Sequence, residues 1–205
     1  MNTYFITGIG TEIGKTVVSA IVTEALEADY WKPIQAGDLD HSDTHKVKGM
    51  ISNSHSVFHP NSFALKTPMS PHAAAEIDGV EITSEKVKEP ETQNDLVVEG
   101  AGGLLVPISH TQTIADLIKP HYRVILVSRN YLGSINHTLL TVEALKSRGL
   151  NCIGIIFNGD ENPSTEEVIQ EMTGLPVLLH VKQEKTFDRE TVKKYAQLLQ
   201  KKLKK

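Results

Sequence analysis

Only one cysteine, Cys152, occurs in the 205 residues. No intramolecular disulfide can form. Cys152 opens the apolar run Cys152-Ile153-Gly154-Ile155-Ile156-Phe157, which reads as a buried strand, so a packing role is expected rather than a reactive thiol. No apolar stretch reaches the roughly 20 residues that a membrane-crossing helix needs. Basic charge is also in short supply, with 21 Lys and Arg against 25 Asp and Glu for a formal net charge of -4. The fold as a whole is therefore not a polyanion binder, and no nucleic-acid or membrane partner is expected. The one dense basic run, Lys201-Lys202-Leu203-Lys204-Lys205, suits the C-terminus of a last helix, where cations complement the helix dipole. Met1-Asn2-Thr3-Tyr4 leads straight into a strand with no basic segment followed by an apolar one, so the expectation is a cytoplasmic protein. No repeat or low-complexity tract is present, and residues 1–205 are expected to form a single domain.

What the chain does have is a succession of short apolar runs separated by helical stretches. Strands are expected at Tyr4–Thr7, Asp29–Ile34, Asp95–Glu99, Arg123–Ser128, Cys152–Phe157 and Pro176–His180. Lys15 to Leu26, with Val17, Val18, Ile21, Val22, Ala25 and Leu26, has the broad apolar face of a helix. Further helices are expected over 134–148, 164–173 and 188–202, with two less regular ones near 43–52 and 82–89. Several strands are near-continuous Val, Ile and Leu rather than alternating, as in strands covered on both faces. The fold class that follows is α/β: a doubly wound, mostly parallel sheet with helices on both faces. Ligands bind such sheets at the carboxyl ends of the strands.

One of those ends carries Gly8-Ile9-Gly10-Thr11-Glu12-Ile13-Gly14-Lys15-Thr16. The stretch follows a strand and opens a helix, the context a phosphate-binding loop requires. Backbone N–H groups and the helix N-terminus attract phosphate oxygens, Lys15 can reach the β/γ-phosphates, and the Thr16 hydroxyl can ligate Mg²⁺. Yet Ile9 stands where the common P-loop pattern has its first glycine. A glycine-rich turn with an incidental Lys15 is the competing explanation, and strand, turn and helix together weigh against it. Leu96-Val97-Val98-Glu99 ends in a carboxylate suited to a metal ion or its water shell beside phosphates. Gly100-Ala101-Gly102-Gly103 then lets backbone approach a ligand closely. Lys32, in Trp31-Lys32-Pro33-Ile34-Gln35-Ala36-Gly37, brings a second positive charge to the same crevice, and Asp43 is a further candidate metal ligand. Taken alone, Lys32 or Asp43 is more often a solvated surface charge. His41 and His45 stand at i, i+4 spacing, but no third and fourth zinc ligand accompanies them, so a polar helix face is expected. His72, in Pro68-Met69-Ser70-Pro71-His72, is read as a loop residue lining the crevice.

Together these motifs, with Leu132-Gly133-Ser134-Ile135-Asn136-His137, resemble the dethiobiotin synthetase family in order and spacing from residue 3 to about 158. That family resembles the deviant P-loop class of the nitrogenase iron protein, whose loop commonly reads Gly-Lys-Gly-Gly-x-Gly-Lys-Thr. Gly10 replaces its signature lysine here, and Thr11 and Glu12 replace two glycines. The resemblance implies an ATP- and Mg²⁺-dependent closure of the cyclic urea of dethiobiotin from 7,8-diaminononanoate and CO2, through a carbamate and a carbamic–phosphoric anhydride. It implies catalytic roles for Thr11, Lys15 and Lys32. Nucleotide contacts would come from Glu12, Ile13, Gly14, Lys15, Thr16, Val17, Asp43, Glu99, Gly100, Ala101, Gly102 and Asn158, the last at the adenine. Thr16, Asp43 and Glu99 would hold the metal. Thr11, Lys32, Gly133, Ser134, Ile135 and Asn136 would meet the substrate, the last four receiving its carboxylate across a homodimer interface.

Two departures stand out. Ala36 stands where the family often has Ser or Thr, so one substrate hydrogen bond would be missing or replaced. The family's usual Gly-x-x-Pro after the last strand is absent, since the chain reads His180-Val181-Lys182, and weak base selection is expected. The competing readings are a nucleotide-driven switch acting on a protein, disfavoured by Gly10, and a related amide or lactam synthetase. The larger cobyrinate-type members of that second group carry a glutaminase domain that does not fit in 205 residues.

Overall fold

The structure is a computed structural model and describes residues 1–203. Lys204 and Lys205, the end of the basic run, lie outside the described residues, while Lys201 and Lys202 stand in the last turn of the final helix as expected.

The chain runs β1 (Thr3–Gly8), α1 (Lys15–Leu26), β2 (Asp29–Trp31), β3 (Ile34–Ala36), α2 (Asp43–Met50), β4 (Phe58–His59), β5 (Phe63–Leu65), α3 (Pro71–Ile77), β6 (Leu96–Glu99), β7 (Arg123–Ser128), α4 (Ser134–Ser147), β8 (Cys152–Asn158), α5 (Pro163–Thr173), β9 (Val177–Val181) and α6 (Arg189–Leu203). Seven strands form one sheet in the order β4-β2-β6-β1-β7-β8-β9, and every pairing in it is parallel. β1 lies between β6 and β7, and the chain runs from β1 to β2 on one side and from β6 across to β7 on the other. This is the switch point at which such sheets open a crevice. The loops after β1 and β6 meet there.

Successive side chains of β1 point to opposite faces and bury in different clusters. Tyr4 and Ile6 pack with Val18, Ile21 and Val22 of α1 and with Tyr195 and Leu199 of α6. Phe5 packs on the other face with Trp31, Val98, Ile114 and Tyr122. A third cluster joins Val142 of α4 and Ile169 of α5 to Ile155 and Phe157 of β8. Both faces are covered, which explains the unbroken apolar runs.

Helix ends follow local chemistry. Asn162 caps α5 by accepting from the Thr165 amide, with Pro163 at the first helical position and Gly174, at φ 68°, ending it. Gly14 and Gly133 stand at the N-caps of α1 and α4 with φ 95° and 99°, a left-handed backbone open to glycine.

Four expectations are corrected. The strand from Asp29 stops at Trp31, because Pro33 has no N–H for the ladder; Ile34–Ala36 instead pairs with Phe63–Leu65 in a separate two-stranded sheet. The helix expected near 82–89 is only a 3-10 turn, Ser84–Lys86. A helix lies instead at Pro71–Ile77, which places His72 in its first turn and not in a loop. His41 belongs to a 3-10 turn ending before α2, so it shares no helix face with His45. The His45 Nδ1 accepts the Ser42 N–H at 3.2 Å. That bond uses the lone pair a metal would need, and no group of three His, Cys, Asp or Glu able to hold a metal occurs among the described residues.

Candidate active site

The loop after β1 is shaped by contacts a larger residue would destroy. A Cβ on Gly8 would fall 2.3 Å from Ile13 Cδ1, and one on Gly14 would fall 2.1 Å from Asn158 Nδ2. Gly10 differs: a Cβ there meets nothing within 4 Å. Packing does not forbid a lysine at this position, so its absence is not a steric necessity. The Lys15 ammonium donates to the Gly10 carbonyl at 2.8 Å, folding back over the loop. Glu12 holds a left-handed backbone, φ 59°, unusual for a residue with a side chain. Such strain clusters at functional sites and persists only when the surroundings over-determine it.

The second loop, from Gly100 to Gly103, packs directly on the first. A Cβ on Gly103 would lie 3.4 Å from Gly10 Cα, and one on Gly102, φ 67°, would lie 2.8 Å from Val106 and 3.5 Å from Thr11 Oγ1. Thr11 and Glu12 are exposed, while Ile13 and Lys15 are buried. The expected phosphate residues and Thr11 therefore do converge.

At the centre lies a charge cluster. Lys32 Nζ is 2.5 Å from Asp43 Oδ2 and 2.9 Å from Glu99 Oε1, and Thr16 Oγ1 donates to the same Glu99 oxygen at 3.0 Å. Lys32 is 5% exposed and Glu99 1%. Neither is a solvated surface charge. Burial alone would depress the Lys32 pKa, but Glu99 and Asp43 outweigh it and hold the ammonium above its usual value. For Asp43, burial raises and Lys32 lowers, with a net lowering. Lys15 has less help: burial, only partly offset by Glu99, brings it down to about 8. Desolvating an ion costs several kcal/mol, so a buried cluster of two lysines and two carboxylates is poor evidence for stability and good evidence for function.

Sequence reasoning missed two members. Tyr30 is fully buried and donates to Glu99 Oε2 at 2.8 Å. Gln35 accepts the Asp43 N–H through Oε1 at 3.3 Å and donates to the Gly37 carbonyl at 3.0 Å. Tyr30 gave no signal, since it sits within a strand 69 residues from Glu99. Gln35 lies within the quoted Lys32 motif and was readable as a polar residue at a strand end.

Two expected groups stand apart from this centre. Asn158, at the end of β8, donates from Nδ2 to the Ile13 carbonyl at 2.9 Å, bracing the phosphate loop and leaving Oδ1 and a second N–H free for another task. Gly133, Ile135 and Asn136 are exposed at the start of α4, beside a cavity of about 770 Å³ that also includes Asn130, Tyr131 and Leu132. Ser134 is buried. The first N–H groups of a helix have no partner within it, so this end is suited to an anion. No residue from the Lys32 cluster reaches it.

The geometry agrees with comparisons to known proteins. An AAA-domain family model matches residues 2–191. The ATP-dependent dethiobiotin synthetase BioD of Christiangramia forsetii is 62% identical over 200 residues, covering 98% of this chain and 97% of that protein. The chain belongs to the dethiobiotin synthetase family. The BioD of Cytophaga hutchinsonii is 52% identical, covering 96% of each chain. Among solved structures, the septum site-determining protein MinD of Pyrococcus horikoshii, complexed with Mg-ADP, superposes with a TM-score of 0.63 over 95% of this chain and 94% of that one. At 14% identity that likeness shows the fold alone. This chain and MinD thus share a doubly wound α/β fold.

Proposed function

We propose that this chain closes the ureido ring of dethiobiotin from 7,8-diaminononanoate and CO2, with ATP converted to ADP and phosphate. The coarser statement, ATP-dependent dethiobiotin formation in biotin biosynthesis, rests on family membership. The observation that supports the finer one is the buried pair Lys15 and Lys32 at a phosphate loop whose position 10 is glycine.

One amine takes up CO2 and loses a proton to give a carbamate. A carbamate oxygen attacks the γ-phosphorus in line, ADP leaves, and a carbamic–phosphoric anhydride results. The second amine attacks its carbonyl carbon and expels phosphate. The difficulty is bringing one anion to a more negative one. Lys15 and Lys32 offset that repulsion with charges already in place, and such preorganised groups contribute several kcal/mol. Nearby cations also keep the carbamate ionised. Thr11 and the Gly102 backbone, which face each other, hold the transferring group; Glu12 to Val17 line the phosphates with Gly100 and Ala101. The chemistry needs positioning more than a strong base.

Thr16, Asp43 and Glu99 fit a magnesium site. They offer a hydroxyl and two carboxylates, hard oxygen donors for an ion that keeps several waters. Asp43 and Glu99 are already close enough to share one cation, the Lys32 ammonium. When bound, magnesium supplies neutralisation of triphosphate charge.

The substrate carboxylate is assigned to Gly133, Ser134, Ile135 and Asn136 of a second subunit in a homodimer. Exposed Tyr131, Leu132, Ile135 and Leu140 surround that helix end, with Leu132 entirely uncovered. This supports the assignment, because such apolar exposure at a polar site calls for a covering surface. Asn158 is assigned to the adenine. Beyond Val181 the chain has no Gly-x-x-Pro to close over the base, and base selection is proposed to be weak. The missing Ser or Thr at Ala36 is proposed to cost one substrate hydrogen bond.

Phosphate release with the diamine, bicarbonate, Mg²⁺ and ATP, each omitted in turn, tests the reading. Release is expected only with all four. Hydrolysis indifferent to the diamine would overturn it and restore the switch alternative.

A further inference from the structure

Tyr30 approaches the charge cluster from behind the crevice. It lies on β2 opposite Val97 in register, and Glu99 is two residues further along β6, so Val97 and Glu99 point to the same face of the sheet as Tyr30. Its ring is buried against Phe58, with ring centroids 5.8 Å apart. Its hydroxyl donates to Glu99 Oε2 at 2.8 Å, the only hydrogen bond to that oxygen among the described residues. Glu99 Oε1 has the other duties, accepting from Thr16 at 3.0 Å and Lys32 at 2.9 Å. The carboxylate is thus divided, with one oxygen anchored to the core and the other turned to the crevice. Tyr30 is closed off from solvent.

We propose that Tyr30 is a positioning residue that fixes Glu99 so that Oε1 faces Thr16 and the phosphates, and thereby sets how strongly magnesium and nucleotide bind together. This rests on the reading of Glu99 as a magnesium ligand. Without the phenol, Oε2 would be a buried charged oxygen with no partner, and the carboxylate would turn to find one. Groups that orient a metal ligand in this way typically carry about 10- to 100-fold in metal affinity.

The test is calorimetric ADP binding to the full chain, with Mg²⁺ and with EDTA, below the melting temperature of each variant. Wild type is expected to bind ADP more tightly with Mg²⁺. Tyr30→Phe, which removes one oxygen from a packed ring, should lower that enhancement by about 10-fold and leave affinity in EDTA unchanged. Phe58→Leu loosens the same packing without touching the phenol and should keep the full enhancement. Tyr30→Phe should have no further effect in a Glu99→Gln background. Full enhancement in Tyr30→Phe, or an equal loss in Phe58→Leu, overturns the proposal. If Glu99→Gln abolishes the enhancement while Tyr30→Phe keeps it, the positioning role alone falls. If Glu99→Gln also keeps it, the metal reading falls and the positioning role with it.

Discussion

The two ends of the proposed site are built on opposite plans. At the phosphate end the buried charged groups are each held in place: Lys32 by Asp43 and Glu99, Glu99 by Thr16 and Tyr30, Lys15 by the Gly10 carbonyl. At the start of α4, Gly133, Ile135 and Asn136 are exposed, and Leu132 has no cover at all. On the proposed reading the first end is built within one chain, and the second is covered by a neighbouring subunit. A reaction that moves a phosphoryl group needs preset charge, whereas recognition of a distant carboxylate can be delegated to a subunit contact.

Changes at the complete end should be the most damaging. Lys32→Ala is expected to lower kcat by at least about 100- to 1000-fold, the scale for losing a preorganised charge partner. It should also lower the melting temperature, since buried Glu99 and half-buried Asp43 would then face each other without the cation between them, at a cost of about 3 kcal/mol. Near-normal turnover would remove Lys32 from the chemistry and erase the contrast between the ends. Leu132→Asp should do the reverse: sedimentation is expected to show monomers and the diamine KM to rise about tenfold, as when one well-placed contact of about 1.4 kcal/mol is lost, while calorimetric ADP affinity stays at the wild-type value. A matching loss of ADP affinity would mean the two ends are one unit. Selection between ATP and GTP should be modest. Turnover with each is expected to differ by less than about a hundredfold, the loss of roughly two good contacts, and a stronger ATP preference would show that residues after Val181 close over the base after all. The smallest effect concerns neither end. Burial pushes the Cys152 thiol up to about 11. Its alkylation should be slow at pH 8, rise about tenfold per pH unit as thiolate forms, and leave turnover untouched.

Much of this arrangement was legible beforehand because it is local. The loop from Gly8 to Thr16 and the strand ending in Glu99 are contiguous stretches with their own period and punctuation, and helices expected at 134–148, 164–173 and 188–202 lie within a residue or two of those observed. What failed was of three kinds. β4 has two residues, too few for any period, and owes its place to pairing with β2. The helix at Pro71–Ile77 did carry a signal, a serine followed by proline at the first helical position, but the prolines around it read as a loop. The bond from Tyr30 to Glu99 could not be seen at all. It depends on which strands become neighbours, and β2 pairs with β6 across the long stretch from Lys32 to Asp95. Residues at the phosphate loop are named by motif, whereas those that hold them in place are named by topology.

Pro33 has a wider consequence than ending a strand. Lys32 occupies the joint where the large sheet passes the chain to the small one, with Trp31 paired on one side, Ile34 on the other, and its own carbonyl accepting from Asn61 at 2.6 Å. The lysine is mounted on a truss rather than on a tether. Its reach is set by the separation of two rigid ladders and owes nothing to the length of the loops nearby. Residues added between Met50 and Phe58 would lengthen a surface connection and leave the ammonium where it is. A single residue added between Trp31 and Ile34 would shift the register of one ladder against the other and carry the charge out of the crevice.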